Sequence, residues 1–219
     1  MQTLYSIVIG PLAWIAFGVF FLGIIGKIIY LIFLSKSRDT EILHYFKLKY
    51  GLRSIIHWLL PFGTRSWRQD YLMTTATFIF HICLIIVPIF LGAHVILWDY
   101  YWQVSYWSLP NAITDTMTVL VIISCSYFAI RRATLKQVKF VTTDRDWFIL
   151  IAVSSPFITG FLAYHQIFDY QVMTILHILS GEILLILIPF SRLNHIMYAP
   201  LIRAYIGSEF GGIRKARDW

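Results

Sequence analysis

The sequence predicts an all-α integral membrane protein with five transmembrane helices, its N-terminus outside and its C-terminus in the cytoplasm. Three observations predict it. The 219-residue chain is 58% hydrophobic and 13% charged, where a soluble domain carries about 25% charged residues. Its apolar residues form five runs long enough to cross a hydrocarbon core of about 30 Å, without the alternation of a membrane β-strand. Its basic residues are confined to one side of those runs.

The spans are read at roughly 6–34, 72–97, 112–130, 147–164 and 172–196, all within one membrane domain covering 1–219. No Lys or Arg precedes the first run and no small-residue cleavage site ends it, so it is expected to stay as a helix. Residues 35–71 form a cytoplasmic interfacial segment that mixes apolar and basic residues. It holds seven of the 18 Lys and Arg, residues 131–146 hold five, and the tail from Arg192 holds five more. Lys27 lies near enough to the inner end of the first span to snorkel toward that side. The segments 98–111 and 165–171 hold none, and the positive-inside rule then sets the orientation. The +7 net charge is thereby accounted for without a nucleic-acid partner. Segment 98–111 is dense in Trp and Tyr, as expected of an outer aromatic belt; a docking face for an outside partner is the weaker reading.

Two cysteines, Cys83 and Cys125, sit in separate apolar runs. They read as small buried hydrophobes. With no Cys-x-x-Cys-His and no cysteine cluster, covalent c-type haem attachment, an iron–sulfur centre and a cysteine zinc site are excluded.

The histidines carry the most information. His177 and His195 are 18 residues apart on the last run. At about 100° and 1.5 Å per residue, one continuous helix would place both rings on one face, roughly 27 Å apart. His81 and His94 form a second pair on the second run. Four intramembrane histidines on two helices, two at each level, are what bis-histidine ligation of two stacked haems needs. Interhelical hydrogen bonding is the blander reading. The thirteen residues between His81 and His94 turn through about 220° on an ideal helix, which a kink at Pro88 would have to correct. Gly181, one turn from His177, would let a flat macrocycle approach the backbone. Arg192 is placed to meet a haem propionate, although it also serves the charge rule. Glu182, about ten residues into the fifth span, reads either as a proton-handling group beside a quinone or haem, or as an interhelical hydrogen-bonding group. Asp115 and Asn111 at the outer start of the third span could line a quinone pocket, with helix capping the favoured role. His44, His57 and His165 read as ordinary interfacial histidines, His57 being the best of them for a further haem. No residue reads as catalytic in its own right.

The segment from His177 to Pro200, with Pro189-Phe190-Ser191-Arg192-Leu193-x-His195, resembles the gamma subunit of respiratory nitrate reductase. Val141-Thr142-Thr143, Trp107-x-Leu109-Pro110 and the basic tail extend the resemblance over the five-span plan. The resemblance implies two b haems bridging the second and fifth helices. His81 and His195 would ligate the inner one, and His94 and His177 the outer one. The chain departs from that subunit in its longer histidine spacing on the second helix. It also has no lysine in the stretch Asn111 to Thr116, where the subunit uses one near its quinone pocket. The missing lysine points toward the cytochrome b subunits of Hmc-, Tmc- and Dsr-type transmembrane redox complexes of sulfate reducers, which the chain also resembles. By that resemblance the partners are a heterodisulfide-reductase-like iron–sulfur subunit in the cytoplasm and a multihaem cytochrome c in the periplasm. The expected location is a bacterial or archaeal cytoplasmic membrane. The expected function is electron transfer across it, within a multi-subunit oxidoreductase. A quinol-oxidising or quinone-reducing subunit that binds menaquinone is the first alternative. A proton-coupled transporter built on Glu182 and the histidines, and a cofactor-free anchor, are the others.

Overall fold

The structure, a computed structural model, describes residues 2–38 and 44–219. Every regular element among them is helical. The first span, Gln2–Arg38, begins as α1 (Gln2–Ile7), passes through a π-helical turn containing Pro11 and continues as α2 (Ala13–Arg38). Residues 39–43 of the expected surface segment lie outside the described residues. The rest of that segment folds as α3 (Leu48–Leu59) and the short α4 (Arg65–Gln69).

The second run is two helices, α5 (Tyr71–Phe90) and α6 (Gly92–Trp102), which meet at Leu91 in an extended conformation. The third span is α7 (Asn111–Thr134), followed by α8 (Lys136–Val141); the fourth is α9 (Asp144–Tyr164). The fifth is α10 (Tyr170–Phe190), after which a 3₁₀ turn at Arg192–Asn194 leads into α11 (His195–Gly207) and a π-helical turn, Ser208–Ile213. Five helices are thus long and apolar enough to cross a membrane. The chain is a multi-pass, all-helical membrane protein.

Two readings of the sequence assumed one straight helix where there are two. His81 lies on α5 and His94 on α6, beyond the break at Leu91. His177 lies on α10, and His195 opens α11 beyond the break at Ser191. The count of about five whole turns between His177 and His195 therefore does not apply. Pro88 and Pro189 stand in the last turns of α5 and α10. A proline offers no N–H to the ladder and its ring crowds the preceding turn, so each weakens its helix shortly before it stops. At the second break Ser191 is extended and its Oγ accepts from the Leu193 N–H at 3.2 Å, which starts the next turn.

The chain divides into two compact units. One takes Thr75–Gly181 with the N-terminal residues up to Val8; the other takes Ile9–Thr74 with Glu182–Trp219. In the first, α7 packs on α9. The buried residues of α7 are Thr114, Thr118, Val121, Ser124 and Cys125, a stripe of small side chains that lets helices approach closely in lipid. Its hydroxyls return to their own helix, Thr118 to the Thr114 carbonyl and Ser124 to that of Leu120, both at 2.8 Å. No polar group on that stripe is thereby left facing hydrocarbon. Cys83 and Cys125 join Val87, Val121 and Phe157 in the core, as free thiols among apolar side chains. The start of α9 is fixed by Asp146, whose carboxylate accepts from the Thr143 N–H and hydroxyl, both at 2.8 Å.

In the second unit, α3 lies along α11. Gly51 and Ser54 on α3 and Ala204 and Gly207 on α11 are buried at the crossing. A Cβ added at Gly207 would stand 2.5 Å from the Tyr50 carbonyl and 2.4 Å from Ser54 Cβ. Only glycine permits that approach.

Candidate functional site

The break at Leu91 creates the local chemistry of the first unit. Where a helix stops, its last carbonyls lose their donors four residues on. Here each of three finds another. The Pro88 carbonyl accepts from His94 Nδ1 at 2.9 Å, that of Ile89 from the Tyr106 hydroxyl at 2.7 Å, and that of Phe90 from the Leu109 N–H at 2.9 Å. Trp107 stacks on Phe90 with ring centres 4.6 Å apart. Part of the aromatic segment is therefore committed to closing the end of α5.

His94, oriented by that carbonyl, faces His177. Their ring centres are 5.9 Å apart and their planes lie within 16° of each other. His177 Nδ1 donates to the Pro156 carbonyl on α9 at 2.8 Å. The ring fits because residue 160 is glycine: a Cβ there would stand 2.8 Å from Nδ1 and 2.9 Å from Cε1. Pro156 and Gly160 belong to the site and were not singled out from sequence. Their only signal is a glycine one helical turn after a proline within a span.

The remaining predicted ligands are set in the same manner. His81 Nδ1 contacts the Thr77 carbonyl at 2.8 Å, with the Phe80 ring edge-on at 5.0 Å. His195 Nδ1 contacts the Arg192 carbonyl at 2.9 Å. A carbonyl can only accept, so in all four rings Nδ1 is the donor and the neutral imidazole carries its lone pair on Nε2. Ligation through one nitrogen with the other held by a backbone carbonyl is the usual support of a metal-binding histidine. His81 belongs to the first unit and His195 to the second.

His94 and His177 are the residues that would hold an iron-bearing group here, each with Nε2 left free of its backbone carbonyl. Among the described residues no group of three or more His, Cys, Asp or Glu is placed to hold a metal ion. A haem asks for fewer, since its macrocycle supplies the equatorial nitrogens. Gly181, one turn from His177, has nothing within 4 Å of the position a Cβ would take. The space sought for a flat group is open there.

Other predicted residues behave differently. Asp115 Oδ1 lies 2.9 Å from His165 Nε2, a half-exposed pair at the ends of α7 and α9. His165, read as an ordinary interfacial histidine, is thus coupled to a residue proposed for a quinone site. Asn111 opens α7 and is exposed; its backbone carbonyl accepts from the Thr114 hydroxyl at 3.0 Å. Glu182 is 6% exposed, and neither carboxyl oxygen has a hydrogen-bond partner among the described residues. Its expected interhelical hydrogen bond is therefore not formed within the described chain. The Arg192 side chain is exposed. His57 stacks on Trp219 with ring centres 4.2 Å apart and planes within 4°.

No protein-family model matches the chain. A protein of Nitratidesulfovibrio vulgaris (Hildenborough) is 38% identical over 211 residues, covering 94% of this chain and 93% of its own length. The chain belongs to that protein's family. Coverage of that extent leaves too few residues over to omit a span, so the likeness reaches both histidine-bearing runs.

Proposed function

We propose that the chain is a dihaem cytochrome b subunit that carries electrons across a cytoplasmic membrane within a multi-subunit oxidoreductase. One observation supports the reading: the His94 and His177 ring centres lie 5.9 Å apart with planes within 16°, each Nδ1 held by a backbone carbonyl. His94 and His177 take the outer haem in this reading; a second haem is expected only from the family resemblance, which assigns His81 and His195 to it. Haem iron supplies one-electron redox chemistry, and the protein tunes it through ligand identity, burial and the hydrogen bond on each imidazole. The hydrogen bonds to the Pro88 and Pro156 carbonyls fix the orientation of both rings. The basic segments 35–71 and 201–219 face the cytoplasm by the charge rule and receive an iron–sulfur subunit. A periplasmic cytochrome c is the partner on the other side.

A second reading is favoured by the His165–Asp115 pair. Oxidation of a quinol releases two protons with two electrons, and a hydrogen-bonded imidazole–carboxylate pair at the outer end of the bundle is suited to receive a proton. In this reading menaquinol is the donor, and Asp115→Asn slows its oxidation without changing haem content.

The deciding experiment is a dithionite-reduced minus oxidised spectrum of the purified protein, with pyridine-haemochrome quantification. About two b haems per chain is the expected result. A colourless protein overturns the reading and favours a proton-coupled transporter using Glu182.

A further inference from the structure

The second unit contains a cavity of about 490 Å³ lined by Tyr50, Arg53, Gly211, Lys215, Arg217 and Trp219. Arg53 is held between two aromatic faces, its guanidinium carbon 4.9 Å from the Tyr50 ring centre and 4.5 Å from that of Trp219. A Cβ at Gly211 would stand 2.3 Å from Arg53 Nη2, so the backbone there has closed on the guanidinium. Arg53 Nε and Nη2 are withdrawn from solvent and have no acceptor in the protein among the described residues. A buried cation without a counter-charge is costly.

Of the neighbouring acids, Asp218 pairs through Oδ2 with Arg203 at 3.1 Å and accepts from the Ser54 hydroxyl, its Oδ1 being buried without a partner among the described residues, while Glu209 pairs with Arg214. Lys215 donates to the Gly212 carbonyl at 2.9 Å. Among the described residues no carboxylate pairs with Arg53, Lys215 or Arg217, so three positive charges line one cavity without an ion-pair partner there.

The surroundings identify the anion. Leu48, Leu52, Ile56 and Leu59 of α3 are 63%, 49%, 56% and 58% exposed. Their spacing makes a single stripe, while Gly51 and Ser54 face α11. α3 joins the first two spans and so lies at the membrane surface, and an exposed apolar stripe there enters the headgroup and acyl boundary. Arg53 follows Leu52 on α3 and points about 100° around the helix from it, beside the stripe.

We propose that this cavity binds the phosphodiester of an anionic phospholipid. Arg53 and Arg217 contact the phosphate, Lys215 adds charge, and the lipid's acyl chains run along the Leu48–Leu59 stripe. The assignment is independent of the haem reading.

Native mass spectrometry of the full-length protein, titrated with phosphatidylglycerol, phosphatidylcholine or inorganic phosphate, tests it. Phosphatidylglycerol is expected to bind more tightly than phosphatidylcholine. Arg53→Gln and exposed Arg217→Gln should each weaken it about fivefold. Lys139→Gln, in the other unit, should leave it unchanged. Arg217→Gln keeps the test open if Arg53→Gln fails to fold. Retention of phosphatidylglycerol by Arg217→Gln at wild-type affinity overturns the proposal, as does an equal loss in Lys139→Gln. Binding of inorganic phosphate with no preference between the lipids overturns the lipid assignment in favour of a soluble phosphate.

Discussion

His177 reaches the Pro156 carbonyl across 2.8 Å only because Gly160 leaves room for its ring. A histidine on one span is thereby oriented by the backbone of another. The relationship makes Gly160 a positioning residue for His177, although it has no side chain to contact anything.

Gly160→Ala should displace the imidazole, because its new methyl would stand 2.8 Å from Nδ1. Overpacking of this kind costs about 1–3 kcal/mol. On the proposed dihaem reading, haem content should fall from about two per chain toward about one. Pyridine-haemochrome analysis of the folded variant reads this directly, and an unchanged content would show that the ring is not held by this fit.

His94→Ala and His177→Ala should remove the same haem. As the proposed ligands of one iron they would act as a unit, so the double variant should lose no more haem than either single variant. Redox titration followed in the visible spectrum should show the same potential missing from all three. Loss of different components in the two single variants would separate the residues.

Tyr106→Phe removes the donor to the Ile89 carbonyl at the end of α5. The loss of one hydrogen bond should cost about 1 kcal/mol. Because the same helix end orients His94 through the Pro88 carbonyl, the haem proposed for His94 should also shift in potential or line shape. Thermal unfolding in detergent and low-temperature spectra check the two consequences.

Gly207→Ala should lift α3 from α11, since the added methyl would meet the Tyr50 carbonyl at 2.5 Å and Ser54 Cβ at 2.4 Å. A rigid backbone oxygen cannot yield as a side chain can, so a cost of at least about 1–3 kcal/mol is expected. Limited proteolysis should cut within 44–64 faster than in the parent, with the spans left intact.

Much of the plan was legible from residue order. Five apolar runs sufficed to place five helices, because a segment crossing lipid must satisfy its backbone internally and must be long enough to span. Cys83 and Cys125 were read as small buried hydrophobes for the same reason, and both lie in the apolar core. The helix ends were less legible. The runs 72–97 and 172–196 are apolar throughout, and hydropathy does not register the extended residues at Leu91 and Ser191 that divide the structure there. The prolines at 88 and 189 were visible, but a proline gives only the neighbourhood of a break.

The sequence by itself determined the class of the protein and the number of its spans. Composition and span length depend on solvation, and solvation is additive along the chain. Only the tertiary structure decided that His94 meets His177, that Pro156 and Gly160 set the second ring, and that Asp115 belongs with His165. It also decided that Arg53 closes between Tyr50 and Trp219. Each of these depends on residues far apart in the chain meeting within a few ångströms, and no local pattern of hydrophobicity or charge encodes which surfaces will pack together.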